Sequence, residues 1–319
     1  MKLKTDGFVP AIIITVTIAY FFPRGDSIIP FDIIGQIGVS LIFFFYGLKL
    51  SPDKLKAGLK NWKLHVLVQA STFVLFPLLV LPFHPLMQTE EQANLWLAFL
   101  FLAALPSTVS SSVVMVSIAK GNVPAAIFNA SISGLIGIAV TPLWMSSFIP
   151  PTTYSFDLIT VYSDLVIHIL APVTSGILLQ RYLGQYAQKY SRQLSLFDKS
   201  VILLIIYKSF SGSFESNVFS TVSIADLALI AAGVIILFFI VYYLTGYLAR
   251  LLNFNTADKI TLQFCGTKKS LVHGTVFSKI LFEQSASVGI ILLPVMLFHA
   301  IQILVVSIIA SKLAARAED

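Results

Sequence analysis

Charge is scarce in this sequence: Asp, Glu, Lys and Arg together make up 11% of its 319 residues, against 57% hydrophobic. With a mean hydropathy of +0.88, a soluble domain of ordinary composition is excluded. Cysteine is nearly absent. Cys265 alone rules out an intrachain disulfide, and no Cys/His spacing suits zinc, so neither a metal nor a cofactor is expected. The chain also lacks a G-x-S-x-G nucleophile motif and paired Asp residues inside its apolar runs, which sets aside an intramembrane enzyme. No ring-forming acidic or carbonyl filter motif points to a channel. A net charge of +6 does not signal nucleic acid, because the basic residues form short clusters without interleaved stacking aromatics. What is left is an integral membrane protein, with the lipid bilayer as its partner.

Apolar windows give ten candidate helices, at 7–22, 28–48, 63–83, 94–118, 122–148, 155–182, 199–211, 225–251, 259–282 and 286–313. The seventh is the shortest, cut by Lys208 and the serine-rich run after it, with a tilted helix or one extending past Ser211 as the alternatives. The first has a basic flank but no small-residue cleavage site, so it reads as a retained span rather than a signal peptide. No connecting loop is long enough for a soluble domain. Cytoplasmic loops should carry the Lys and Arg. With ten spans and both termini inside, all but five of the 21 basic residues fall on that side. The exceptions are Arg24 and Lys208 outside, Lys279 near the end of the ninth helix, and Lys268 and Lys269. Short loops and the absence of an appended domain fit a bacterial inner membrane.

Lys268 and Lys269 lie in the middle of the ninth apolar stretch, LQFCGTKKSLVHGTVFSK. A lysine at a bilayer centre costs about 2.5–3.5 kcal/mol on insertion scales, so the pair must face protein or water. A second polar stretch, Pro106 to Ser112, interrupts the fourth helix. Neither flanking run alone spans the hydrocarbon. Interrupted helices survive at membrane depth only where freed backbone groups meet a cavity or other protein, and two of them at matching places mark a transporter's binding site. If the chain divides at 1–150 and 151–319, five helices in each half force the second set to enter inverted. The fold expected is all-α, with two inverted five-helix repeats.

The candidate pathway residues are Lys268, Lys269, Ser107, Thr108, Ser110, Ser111, Ser112, Asn129, Thr267 and Ser270, with His273, Gln69, Thr72, His299 and Gln302 as further polar groups inside spans. Each also has a plainer reading. A lysine can snorkel or cap a broken helix, hydroxyls and small residues pack membrane helices, and lone histidines are commonly hydrogen-bonded packing residues. Gln302 stands three residues from His299, on one helix face. Lys279 and Glu283, at i, i+4, read as an interfacial pair, and His65 and His84 sit at span edges.

The run SSSVVMVSIAKGNVPAAIFNASISGLIGIAVTPLW resembles the fourth and fifth helices of the bile acid:sodium symporter family, through Val114-Met115, Ala119-Lys120-Gly121-Asn122 and Thr141-Pro142-Leu143. GLKLSPDKLK at 47–56 is similar to that family's second-to-third helix turn. The resemblance implies a panel domain and a core domain in which helices four and nine cross beside the transport site. It also shows where this chain departs. The family's sodium-binding Asn falls on Val113, while its Ser falls on Ser112. Two hydroxyl ligands fall on Ala126 and Ala130, the liganding Glu on Phe264, a Gln on Lys268 and another on Thr72. Sodium coupling is therefore not carried over, and the coupling ion is left open: sodium by resemblance, a proton or none by residue chemistry.

A lysine amine can occupy a cation's place, donating to Ser and carbonyl oxygens and balancing helix carboxyl-end dipoles. The expectation is that Lys268 or Lys269 is a tethered cation among Ser107, Thr108, Ser110, Ser111, Ser112 and Asn129, and a candidate proton carrier. The function expected is secondary transport of an organic anion or amphipathic solute by alternating access. The alternative is a regulator or receptor that has lost transport on the same fold.

Overall fold

In a computed structural model of the chain, residues 8–23, 31–50, 61–108, 110–149, 158–215, 223–282 and 288–315 are described. Among them the regular elements are helices, with no strand. In a lipid environment the backbone must satisfy itself within each segment, and only the helix does that for a single stretch of chain. The helices are α1 (Phe8–Phe21), α2 (Phe31–Lys49), α3 (Trp62–Leu86), α4 (Glu90–Ala104), α5 (Ser110–Ile118) and α6 (Val123–Ser146). They continue as α7 (Ile159–Lys189), α8 (Ser191–Glu215), α9 (Ile224–Leu251), α10 (Thr256–Gly266), α11 (Leu271–Leu281) and α12 (Val288–Ala315). Five of these, α3, α6, α7, α9 and α12, are long and apolar enough to cross a bilayer, and α1 and α2 contain shorter apolar helices.

The fourth candidate helix is broken between Ala104 and Ser110, and the ninth between Gly266 and Leu271. The seventh is longer than 199–211 at both ends. Serine does not stop it, because Ser200 Oγ donates back to the Leu196 carbonyl at 2.9 Å and Ser213 is buried, its Oγ accepting the Gly289 N–H at 3.0 Å.

Prolines shape two helices without ending them. Pro77 in α3 has no N–H, and its ring collides with the carbonyl four residues back, that of Phe73. The helix widens there into a π turn over Ser71–Leu75, with the Phe76 N–H reaching the Ser71 carbonyl. The displaced Phe73 carbonyl accepts from Trp144 Nε1 at 2.9 Å. Pro172 does the same in α7, where the π turn covers Val166–Leu170.

The chain forms two compact units, each drawn from both sides of residue 150: Met1–Ser51, Ile149–Ser223 and Thr275–Leu292 in one, Pro52–Phe148, Ile224–Gly274 and Leu293–Asp319 in the other. The first unit is built on α2 against α7. Gly47 and Gly176 meet there, and a Cβ on either would lie 3.0 Å from the other's Cα and strike a carbonyl oxygen, that of Val173 or Phe44. Small residues let the two backbones approach this closely, which is how helices associate where no hydrophobic force separates lipid from protein.

In the second unit Phe76, Phe238 and Phe298 pack edge to face, with centroids 6.0 and 5.9 Å apart. Three helix N-termini are tied together at one end of this unit. Asn61, Asn122 and Asn255 cap α3, α6 and α10 through their side-chain oxygens. Their amide nitrogens all donate to the Asp258 carboxylate, at 2.7, 2.8 and 2.9 Å. One buried carboxylate thus faces three helix N-termini, where the macrodipole favours negative charge.

Gly176→Val should destabilise the first unit by about 2 kcal/mol or more, since a Cβ aimed at backbone cannot be relieved by a rotamer change. Thermal unfolding in detergent will show it as a lowered midpoint, while Gly212→Val, with open space at its Cβ position, should leave the midpoint unchanged.

Candidate functional site

The two helix breaks meet within the second unit, and their carbonyls are satisfied reciprocally. At the end of α4, the Ala104 carbonyl accepts from Thr141 Oγ at 2.8 Å. Pro106 offers its carbonyl to the Ser270 N–H at 2.9 Å. From the other break, the Cys265 carbonyl accepts from Ser107 Oγ at 2.7 Å, and the Ser107 N–H donates to Ser133 Oγ at 2.9 Å. Gln302 on α12 clamps the peptide of Lys269: its Oε1 accepts the Lys269 N–H at 2.9 Å and its Nε2 donates to the Lys269 carbonyl at 2.7 Å. His299 Nδ1 lies 3.1 Å from the same Nε2.

Lys269 fills the centre of this crossing and is 1% exposed. Its Nζ donates to the carbonyls of Thr72 (2.6 Å), Ala103 (2.6 Å) and Leu105 (2.9 Å) and stands 4.2 Å from the centre of the Phe76 ring. Three carbonyl acceptors require three donor hydrogens, which only the ammonium form has. The charge is compensated by dipoles. Ala103 and Leu105 lie at the carboxyl end of α4, the negative end of its macrodipole, and the Phe76 face is the negative pole of its quadrupole. Thr72 belongs to the π turn that Pro77 opens. Among the described residues no acidic side chain bonds either amine. A ring of carbonyl oxygens capped by an aromatic face is a ligand set for a monovalent cation, here supplied covalently by the chain.

Lys268 is fully buried as well, yet it is held differently. Its Nζ donates to the Ser111 carbonyl at 2.8 Å, with Ser111 Oγ at 3.4 Å. One residue of α5 supplies both acceptors. Ser111 Oγ lies 2.9 Å from Thr108 Oγ, which is also 2.9 Å from Ser112 Oγ. This places a lightly coordinated amine next to a chain of hydroxyls.

The other candidates divide. Thr267 Oγ1 bonds back to the Gln263 carbonyl at 2.6 Å, a local role. Ser270 Oγ caps the His273 N–H at 3.3 Å and lies 2.9 Å from that ring's Nδ1, starting α11 beside the lysines. Asn129 is not brought to an amine: its Nδ2 lies 2.9 Å from His65 Nδ1 and 3.0 Å from the Ala125 carbonyl, while Gln69 Nε2 donates to its carbonyl and Oδ1 at 3.2 Å each. Gln69, Asn129 and His65 form a separate polar group, in which Gln69 Oε1 is buried without a bonding partner. Thr72 reaches Lys269 through its main chain, its hydroxyl being turned back to Val68. Val109 and the side chain of Ser110 lie outside the described residues. The residues the sequence reading missed are Phe76, Thr141, Trp144 and His65. Pro77 was the available signal for the first and third, since a proline inside a span announces carbonyls in need of donors.

A family model for SBF-like CPA transporters matches residues 6–315, nearly the whole chain. The chain belongs to the SBF-like CPA transporter family. It is 38% identical to an uncharacterized protein of Pseudomonas aeruginosa over 100% of this chain and 96% of that one. It is 35% identical to "Putative symporter YfeH" of Escherichia coli over 98% and 94%. Sodium/bile acid cotransporter 7 of Xenopus tropicalis is 30% identical over 97% and 91%. The SBF-like family is one of transporters and not of enzymes.

Two substitutions read out the crossing. Lys269→Ala orphans three buried carbonyls, at about 1–3 kcal/mol each, so a loss of about 3 kcal/mol or more is expected in thermal unfolding. Trp144→Phe orphans only the Phe73 carbonyl and should cost about 1–2 kcal/mol by the same measurement.

Proposed function

We propose that this chain is a secondary carrier of an organic anion or other amphipathic solute, working by alternating access, in which Lys269 stands permanently where a coupling cation would bind. The carrying observation is the Lys269 ammonium with its three carbonyl partners and the Phe76 face. A sodium ion takes oxygen ligands, and this set is already filled by an amine that cannot leave. The carboxylate and amide that the resemblance assigns to sodium are Phe264 and Lys268 here, which supports the same conclusion. Transport is therefore independent of sodium, in contrast with what the name of the Xenopus relative says of that protein.

Lys268 is the amine that meets the solute. An ammonium has three donors, and those of Lys268 go to a single residue, so the approach of an anionic group completes its coordination. The hydroxyls of Thr108, Ser111 and Ser112 extend this polar surface, with Ser107 and Ser270 fixing the backbone behind it. The arrangement we propose around the crossing is ten spans in two inverted repeats, 1–150 and 151–319. A core carries helices four and nine beside a panel, and both termini lie on the cytoplasmic side of a bacterial inner membrane. Basic loops on one side and two broken helices, one in each half, support it.

The test is uptake of taurocholate and of a panel of other organic anions into proteoliposomes, with sodium and pH gradients imposed separately. Uptake unaffected by sodium is expected. Lys268→Met should lower uptake about tenfold, equivalent to ~1.4 kcal/mol, with the thermal midpoint kept. Strong sodium dependence with no effect of pH would overturn the fixed-cation reading. Absence of flux under every gradient would favour a regulator built on the same fold.

A further inference from the structure

The first unit contains a cavity, lined by both polar and apolar side chains, that the lysine crossing does not use. Its volume is about 170 Å³, and it is lined by Gln36 of α2, Asp164 and His168 of α7, and Lys279 of α11, with Val39, Val276 and Ile280 as its apolar wall. That space accommodates a small cluster of waters. Asp164 and His168 lie inside the apolar run Ile159–Lys189. Ionisable side chains within spans are costly and face a cavity or partner that uses them.

The backbone is adapted to the cavity. His168 lies in the π turn Val166–Leu170 that Pro172 imposes, and such turns are frequent at functional sites. One full turn earlier, the Asp164 carbonyl lies 3.0 Å from His168 Nδ1. A carbonyl can only accept, so Nδ1 carries the hydrogen of the neutral ring and Nε2 carries the lone pair. The ring is oriented as a proton acceptor, with the Asp164 carboxylate on the same wall. Among the described residues that line the cavity, the charged groups are Asp164 on its own helix and Lys279 from α11, while α2 contributes the neutral amide of Gln36 and the side chain of Val39. Lys279 and Asp164 line the same cavity with opposite charge, so a proton gained at Nε2 raises the charge of this wall by one, and its loss restores it.

We propose that His168, with Asp164 beside it, is a proton-binding site of the transport cycle, separate from the lysine crossing. The step is a protonation and nothing else. A proton from cavity water bonds to His168 Nε2, the imidazolium is paired with the Asp164 carboxylate, and release returns the proton to water. The assignment rests on the carrier reading above in one respect, namely that the proton accompanies solute movement. It explains where a driving ion acts in a protein whose crossing already holds a cation. Lys269 cannot serve, because all three of its hydrogens are bound to fixed carbonyls.

The experiment uses the full chain, labelled with ¹⁵N-histidine, in lipid nanodiscs and titrated between about pH 5 and pH 8, the interval in which histidine changes charge. The signal absent from His168→Gln should titrate within that interval, and its profile should change in Asp164→Asn. A His168 signal fixed in one protonation state throughout, or indifferent to Asp164→Asn, would overturn the site. In proteoliposomes, taurocholate uptake driven by a pH gradient should fall at least about tenfold in His168→Gln, equivalent to ~1.4 kcal/mol, while counterflow without a gradient is retained. His168→Gln with undiminished gradient-driven uptake overturns the coupling role. If His168 titrates as expected but no organic anion crosses under any condition, the proton site stands and the carrier reading falls.

Discussion

A carbonyl opened inside a membrane has to find a donor, and in this protein that requirement organises the second unit. Breaking a helix at Pro106 exposes the carbonyls of Ala103, Ala104 and Leu105. Bulging another at Pro77 exposes those of Thr72 and Phe73. One ammonium, one hydroxyl and one indole answer all five: Lys269, Thr141 and Trp144. Lysine is costly in hydrocarbon and so is an orphaned carbonyl, and each removes the other's penalty. The Gln302 clamp then fixes the peptide from which the ammonium extends, so the cation is held at both ends of its side chain.

That interaction also separates two neighbouring lysines that look equivalent on paper. Consecutive residues in a non-helical stretch project in different directions. Lys269 reaches into the carbonyl ring at the end of α4, and Lys268 reaches Ser111 at the start of α5. One amine has its bonding capacity filled by fixed backbone; the other has spare capacity beside a run of hydroxyls. On the reading proposed above, the distinction makes the apolar residues Phe264 and Val113, where the family resemblance expects sodium ligands, part of an exchange of one cation for another.

Prolines are where the chemistry concentrates. Pro77 opens the π turn under Lys269, Pro106 ends α4 above it, and Pro172 opens the π turn that holds His168. In each case the missing N–H forces a carbonyl out of the helix ladder, and a polar side chain is found close by. Elsewhere the helices are held by simpler means: glycines in contact where α2 meets α7, interlocked phenylalanines, and three asparagine caps converging on Asp258.

Composition and apolar periodicity alone determined that the chain is helical and membrane-embedded, roughly where its helices run, that two of them are broken, and that two lysines sit where lipid cannot receive them. These are local properties: hydropathy and breaker residues act within a few turns of chain. The bonding of those lysines was decided only in three dimensions. Lys269 and its acceptor Thr72 are separated by 197 positions, and nothing near Trp144 or Thr141 in the chain shows which distant carbonyl each will satisfy. Asn129 shows the converse. Its polarity inside a span marked it as a site residue, but the side chain turns to His65 and Ala125, because which face of a buried helix meets which neighbour is set by packing across the fold and not by the residue's own character.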